Sequence, residues 1–408
     1  MKRVVITGMS GFSPIGNNWE TIANNLRAQK TGIVRMNEWD KYDGLDTRLA
    51  GPVNDFAQPA HYNRKAVRSM GKVALMATVA SENALIDAGL LNSPELTNGM
   101  TGVAYGSSTG NPSAVADFGN MLMNNSTKGL NANSYIKMMG HTTAVNVGVF
   151  FGLRGRVYTT SSACTSGSQA IGYSYEAIKH GQQTIMVAGG AEELCATEAA
   201  VFDTLFATST KNDTPNLTPS PFDKDRDGLV IGEGACTLIL EELEHALARG
   251  AHIYAEIVGY GTNSDGTHVT QPNSETMEIA MRLALQDASL QSEAIAYVNA
   301  HGTATDRGDV AESQATYRIF GNRMPISSFK SYTGHTLGAC GSLEAMTSIH
   351  CMNEDWFYPT ANLKNVDPDC GDLAYITDNI QTINAEHIMT NNFAFGGINT
   401  SIILKRWI

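Results

Sequence analysis

Short runs of branched apolar residues, each closing on glycine or a cluster of small polar residues, set the rhythm of the chain. The first, Val4-Val5-Ile6-Thr7-Gly8, is apolar without alternation and predicts a strand buried on both faces. When the chain is divided near residue 250, four such landmarks recur in the same order. Residues 3–11 (RVVITGMSG) are echoed at 255–261 (AEIVGYG), and 102–110 (GVAYGSSTG) at 296–305 (AYVNAHGTAT). A strand entering a small-residue helix at 157–172 (VYTTSSACTSGSQAIG) is echoed at 325–341 (PISSFKSYTGHTLGACG), and a strand closing on Gly-Gly at 184–190 (TIMVAGG) is echoed at 388–397 (IMTNNFAFGG). Between these landmarks, apolar positions at helical spacing predict helices over 66–89 and 275–288. The Leu/Glu/Arg-rich stretch 238–249 predicts another, ending at Gly250. Strands followed by helices imply a layered α/β fold, and units this long are not solenoid repeats. The pattern predicts two related halves, residues 1–250 and 251–408.

Composition narrows the function classes. Of the 408 residues, 42% are hydrophobic and 17% charged, which supplies a large core and is incompatible with a disordered chain. Lys and Arg number 28 against 40 Asp and Glu, a formal net charge of −12 with no long like-charge block. That balance argues against attraction of the whole surface to nucleic acid or anionic lipid. Six cysteines, at 164, 195, 236, 340, 351 and 370, have no C-x-x-C spacing and no clustered histidine partners, so neither a zinc site nor a disulfide framework is expected. A reducing, cytoplasmic setting follows. No stretch has the apolar length of a membrane span, and the opening run is too short for a signal peptide.

One cysteine has a context of its own. The β-rich run Arg156–Thr160 and Ser161-Ser162-Ala163 lead straight into Cys164, and Thr165-Ser166-Gly167-Ser168-Gln169-Ala170 continues as a helix. This is the layout of a nucleophile elbow. A thiol at a helix N-terminus faces unpaired N–H groups and the positive end of the dipole, which is expected to lower its pKa and to set an anion-binding amide beside it. An inert buried thiol is the ordinary fate of cysteine, and the other five are read that way. His301 (NAHGTAT) and His335 (KSYTGHTLG) each follow a strand and sit in a Gly/Thr turn, the kind of loop where α/β folds gather their sites. One turn histidine is usually a surface residue; two, with a helix-capping thiol, point to a shared site. Lys330 closes the strand Pro325-Ile326-Ser327-Ser328-Phe329. Lysines are usually solvated, but its apolar and small flanks would hold the cation near that site. Asp223-Lys224-Asp225-Arg226-Asp227-Gly228 opens like a calcium loop, yet position twelve is Gly234 where a bidentate glutamate is required, so cation binding is not expected.

Five ordered blocks then carry a resemblance over essentially the whole chain: SSACTSGSQAIG around Cys164, PFDKDRDGLVIGEGA at 221–235, NAHGTATDRGD from 299, SSFKSYTGHTLGACGSLEA from 327 and NNFAFGGIN from 391. The chain resembles the 3-oxoacyl-[acyl carrier protein] synthases, the type I/II condensing enzymes of the thiolase superfamily. The resemblance implies a duplicated five-layer αβαβα fold with two mixed β-sheets. It places the family's nucleophile on Cys164, its catalytic histidines on His301 and His335, its lysine on Lys330 and its buried glutamate on Glu344, there to position Lys330 or a loop. The gating phenylalanine falls on Phe395, with Ala394 where the family usually has glycine, which puts the swing of that loop in question. Backbone N–H groups of Cys164 and Phe395 would form the oxyanion hole, Thr303 and Thr305 would support the site, and Thr109, Phe202, Phe393 and Phe395 would line the acyl pocket and its gate.

The implied reaction is a decarboxylative condensation of malonyl-carrier protein with an acyl group held on Cys164. No metal or redox cofactor is implied, the substrates being carried on the phosphopantetheine of an acyl carrier protein, and the resemblance implies a homodimer or a heterodimer with a homologous chain. Arg64, Arg68 and Lys72, at i, i+4 and i+8 of the expected helix with Lys65 adjacent, would steer an acidic carrier protein, although a solvated helix face has the same appearance. The segments HTTAVNVGVFFGLRGRV, GTNSDGTHVTQPN and NNFAFGGINTS are most similar to ketosynthases of bacterial aryl polyene clusters, with general fatty-acid or polyketide elongation as the alternative. In the housekeeping enzymes an apolar residue usually stands at Thr109, and a basic one at Phe206, near the pantetheine entrance. A degradative thiolase would need a second cysteine in the final Gly-rich turn, where 391–400 has none. A chalcone-like enzyme would place Asn at His335, and a non-elongating chain-length partner would lack Cys164. A thioester hydrolase differs in needing no malonyl group.

Overall fold

In the computed structural model, which describes residues 1–408, the apolar runs become eleven strands of one mixed sheet. The first half supplies β1 (Val4–Phe12), β2 (Thr101–Gly106), β3 (Val157–Thr159), β4 (Ile185–Glu192) and β5 (Gly234–Glu242). The second supplies β6 (Ala255–Ser264), β7 (Ile295–Asn299), β8 (Pro325–Ser327), β9 (Ala374–Tyr375), β10 (His387–Ala394) and β11 (Ile398–Arg406). Their spatial order is β9-β8-β7-β10-β11-β6-β1-β5-β4-β2-β3. Outward from the centre, β1-β5-β4-β2-β3 is matched by β6-β11-β10-β7-β8, with β9 added at one edge. The pairs made by β2 and β7 are parallel in both halves, as is the added edge pair β8–β9, and the remainder are antiparallel. All four sequence landmarks fall on corresponding strands. The two expected sheets are joined edge to edge, Val4, Val5 and Ile6 pairing with Ile257, Glu256 and Ala255.

Six helices complete the layers, α1 (Lys72–Asp87), α2 (Thr142–Phe151), α3 (Ser166–Lys179), α5 (Ser274–Ala288), α6 (Asp306–Phe320) and α7 (Cys340–Asn353), while α4 (Ala196–Asp203) packs in a small cluster with Cys164. Helices α1 and α2 cover the outer face of the first-half strands, and α5 and α6 that of the second. Between the two sets of strands, α3 and α7 pack against each other and against both, giving the five αβαβα layers. The central pair approaches closely at two glycines. A Cβ on Gly167 would lie 2.9 Å from the Ser342 nitrogen, and one on Gly341 would lie 2.7 Å from both Ser168 N and Asn392 Oδ1.

Alternation along the strands divides the core. On β5, Cys236, Leu238 and Leu240 enter the central core with α3 and α7, while Ala235 and Ile239 enter the outer core beneath α1. On β11, Ile402 and Leu404 face the centre and Ile403 the outer core under α5. This period of two, with both faces buried, corrects the helix expected over 238–249: residues 238–242 end a strand, and only Leu243–Ala248 is helical. That short helix is capped by the Glu242 carboxylate accepting the His245 N–H at 3.0 Å, and it stops before Gly250, whose φ is +68°.

The helix expected over 66–89 also differs. It begins at Lys72, after a separate turn Arg64–Val67. Gly71 caps it and runs so close to Asn111 that a Cβ would lie 2.4 Å from the Asn111 Cγ. No helix is long and apolar enough to cross a membrane.

Candidate active site

The duplication brings two elbows together. Cys164 lies in the turn Ala163–Thr165 between β3 and α3, and Ala163 takes the left-handed φ of +53° that makes the bend. In the other half the turn Leu337–Ala339 leads into α7, with Leu337 at φ +44°. The two turns pack together, and the Cys340 thiol donates to the Cys164 carbonyl at 3.2 Å. His301 follows β7, Lys330 follows β8, and Phe395 occupies the turn between β10 and β11. Groups up to 231 residues apart in sequence thus converge at one end of the sheet.

Hydrogen bonds fix both imidazoles in one tautomer. The Nδ1 of His335 accepts the Leu337 N–H at 3.2 Å, leaving its proton on Nε2, which lies 2.9 Å from the Cys164 sulfur. The Nδ1 of His301 accepts from the Lys330 ammonium at 3.1 Å and faces the Asn392 amide at 3.4 Å, so its proton too sits on Nε2. Lys330 is paired with Glu344 Oε1 at 2.5 Å, and the Asn392 amide donates to Glu344 Oε2 at 2.7 Å. The rings of His301 and His335 stand nearly perpendicular, centroids 5.1 Å apart. Backbone N–H groups of Phe395 and of Cys164 itself favour charge on the sulfur.

Burial governs the charges. It pushes both histidines well below their ordinary pKa, with the Lys330 cation adding to the effect, so each is neutral. Burial also opposes the charge on Lys330, but the paired Glu344 carboxylate more than compensates and holds it protonated. The Cys164 thiol is pushed up to about 11 by burial, although Lys330 and the two N–H groups act in the opposite direction. This corrects the lowered pKa expected of a thiol at a helix N-terminus: desolvation of the thiolate outweighs the amides. At rest the site holds a neutral thiol beside two neutral N–H donors.

The site opens into a cavity of about 580 Å³, lined by Cys164, His301, His335, Thr303, Thr305 and the aromatic side chains of Phe202, Phe393 and Phe395. The Phe202 and Phe395 rings lie against each other, centroids 5.0 Å apart. Ala394 ends β10 without positive φ, so the methyl in place of glycine strains nothing in this conformation. The Asp223–Gly228 loop turns inward. Asp223 accepts the N–H groups of Asp225, Lys364 and Asn365, and Arg226 is buried against Asp367 and Asp309.

Two expected positions are corrected. Thr109 does not line the cavity; it is exposed, and its hydroxyl donates to the buried Glu198 carboxylate at 2.9 Å. Lys72 does not share a face with Arg64 and Arg68, because the chain breaks at Gly71, and its ammonium pairs with the buried Glu233 at 2.5 Å. Arg64, Lys65 and Arg68 are exposed, outside the cavity lining.

Several contributing residues escaped the sequence reading. Glu312 accepts the N–H groups of His301 and Gly302, both at 2.7 Å, and burial lifts it to about 8. Asp309 accepts those of Thr303 and Ala304 at 3.0 and 3.1 Å. Together these two carboxylates shape the His301 loop from the first turns of α6. Their only sequence signal was the acidic start of that helix, which reads as ordinary capping.

The Cys164 sulfur and one ring nitrogen of each histidine lie within 4.8 Å of one another, a ligand set suited to zinc. Metal binding through Nε2 would require moving each proton to Nδ1, against the Leu337 N–H and the Lys330 ammonium. The donor set is therefore turned toward hydrogen-bond donation and does not fit a resident metal.

Comparison with known proteins agrees with this architecture. The family description "Beta-ketoacyl synthase, N-terminal domain" matches residues 1–246, and "Beta-ketoacyl synthase, C-terminal domain" matches 254–364. The chain is 38% identical over 415 residues, covering all of both proteins, to 3-oxoacyl-[acyl-carrier-protein] synthase 1 of Haemophilus influenzae. A crystal structure of a beta-ketoacyl synthase from Burkholderia phymatum is 60% identical, with full coverage of both chains and a TM-score of 0.99. A type II polyketide ketosynthase, solved in complex with its acyl carrier protein, is 29% identical with full coverage and a TM-score of 0.88. With its two halves, its paired elbows and these relatives, the chain belongs to the beta-ketoacyl synthase family of condensing enzymes.

Proposed function

We propose that the protein is a 3-oxoacyl-[acyl carrier protein] synthase that elongates an acyl chain held on Cys164. The observation that carries the reading is the pair of locked tautomers, two neutral imidazoles each presenting Nε2–H beside a thiol. In the first half-reaction the Cys164 thiol attacks the carrier-bound thioester. The N–H groups of Cys164 and Phe395 hold the oxyanion, and the thiol proton leaves with the phosphopantetheine thiol. Malonyl-carrier protein then loses CO2, and the resulting enolate oxygen accepts from His301 and His335. The enolate carbon attacks the acyl-Cys164 carbonyl, breaking its C–S bond. The 3-oxoacyl-carrier protein departs, and the Cys164 sulfur takes up a proton. Lys330, held by Glu344, keeps His301 a donor. No step calls on a metal or redox cofactor.

A hydrolase would need a base to take a proton from water, and both ring lone pairs are already occupied. The partner is an acyl carrier protein, with Arg64, Lys65 and Arg68 available to its acidic surface. Strand β3 ends the sheet with Val157 half exposed, an unpaired edge suited to a second copy or a homologous chain. Six unpaired thiols suit a cytoplasmic setting. For the pathway, the likeness of segments 141–157, 261–273 and 391–401 to aryl polyene ketosynthases supports extension of conjugated aryl-polyenyl chains, against fatty-acid elongation.

The test is mass spectrometry of Cys164 after incubation with a panel of acyl-carrier proteins, followed by malonyl-carrier protein. Acylation and then malonyl-dependent discharge to a 3-oxo product is expected. Discharge to free acid without malonyl would establish the hydrolase. A preference for saturated long chains would overturn the pathway reading alone. Cys164→Ala is expected to abolish acylation, whereas Cys164→Gln, whose amide mimics the acylated cysteine, should still decarboxylate malonyl-carrier protein.

A further inference from the structure

At the mouth of the cavity the chain does something costly. Helix α4 ends at Asp203, and the Phe206 N–H donates to the Asp203 carbonyl at 2.9 Å while the Ala207 N–H reaches the Phe202 carbonyl at 3.0 Å. This closing turn puts Phe206 at φ +54°, in the left-handed region, where helix ends favour glycine or asparagine. A bulky aromatic residue there is an outlier. Its ring gains nothing from the fold in return, for Phe206 is 91% exposed. Beside it at the same rim stand Leu205 and Val269, 45% and 68% exposed.

Charge does not explain the rim. The cations lining the cavity are Arg226, which is buried and paired, and Arg307, against the acids Asp227, Asp265, Asp306 and the buried Glu312. An acidic partner finds no net attraction at this mouth, and the features that rise from it are apolar. Whatever delivers a thioester to Cys164 on a flexible arm must rest on this rim while the arm is inside.

We propose that Phe206, with Leu205 and Val269, is an apolar docking point for the acyl carrier protein, contacting apolar surface at the base of its phosphopantetheine arm. The proposal rests on the condensing-enzyme reading and adds to it where the carrier sits and by what chemistry. Arg64, Lys65 and Arg68 would then steer the encounter, and Phe206 would hold the docked complex.

The closing turn offers a discriminating variant. Phe206→Gly suits the left-handed backbone, so its melting temperature should equal or exceed that of the parent. Its KM for acyl-carrier protein in transfer to Cys164 should rise about tenfold, the scale expected for exposing one aromatic contact. Its kcat should hold, and its turnover of the same acyl group as an N-acetylcysteamine thioester should stay within about twofold. Phe206→Leu, which keeps an apolar side chain, should recover most of the KM. Equal losses on both substrates would overturn the proposal and make the ring part of the arm's channel, and so would an unchanged KM in Phe206→Gly. If the parent protein accepts no acyl group from a carrier protein, the condensing-enzyme reading itself fails, a result separate from either.

Discussion

His335 Nε2 and the Cys164 sulfur lie 2.9 Å apart with a proton on each. The pair is a hydrogen bond between neutral groups, unlike the thiolate–imidazolium pair of a cysteine protease. Such a thiol gains reactivity only as pH rises. The alkylation rate of Cys164 by iodoacetamide should climb close to tenfold per pH unit between pH 6 and 9, since the thiolate fraction of a group near 11 is still growing there. A plateau below pH 8 would show that the helix N-terminus outweighs burial after all.

Lys330 and Glu344 form a buried ion pair that neither member can leave cheaply. Lys330→Met or Glu344→Leu alone should cost about 3–5 kcal/mol of stability, because each strands a charge. The double variant should lose clearly less than the sum in chemical denaturation, and it should remain inactive in malonyl decarboxylation. Additive losses would mean that the two groups are not coupled.

The basic residues near α1 should separate by function. Charge reversal at Arg64 and Arg68 is expected to raise the carrier-protein KM severalfold and to flatten its salt dependence. Lys72→Glu should act chiefly on stability, by facing the buried Glu233 with a like charge. Steady-state kinetics at two ionic strengths, together with melting curves, checks both expectations.

Thr109 is a support for a buried acid. Thr109→Val deprives the Glu198 carboxyl of its 2.9 Å hydroxyl donor, and burial together with the neighbouring Glu192 already holds Glu198 well above the ordinary carboxylate range. Loss of stability on the order of 1–2 kcal/mol is expected, read from urea midpoints. An unchanged midpoint would place the hydroxyl in water.

What could be read from the chain was whatever is local. Cys164, His301 and His335 each sit where a strand meets a turn of small residues, and the strand matched its counterpart in the other half. Lys330 announced itself by apolar flanks. The supports were silent because they come from elsewhere in the chain: Asn392 is 91 residues from His301, and Lys72 meets Glu233 across 161 positions. The stretch 238–249 misled because LILEELEHALAR satisfies both the strand and the helix period, and only the two cores on either side of β5 choose between them. The pKa of Cys164 was misjudged for a related reason. A helix end is visible in sequence, but the depth at which it is buried is not.

The central core takes side chains from the inner faces of both sets of strands and from α3 and α7 alike. Each copy also has an outer core largely its own, but this central interior belongs to both, so their inner faces cannot change independently. Enlarging a residue on the inner face of one must be answered by trimming in the other. At Gly167 and Gly341 there is nothing left to trim. The two halves differ at their loop ends, where one carries the thiol and the other the histidines, while the shared interior holds both to a common shape.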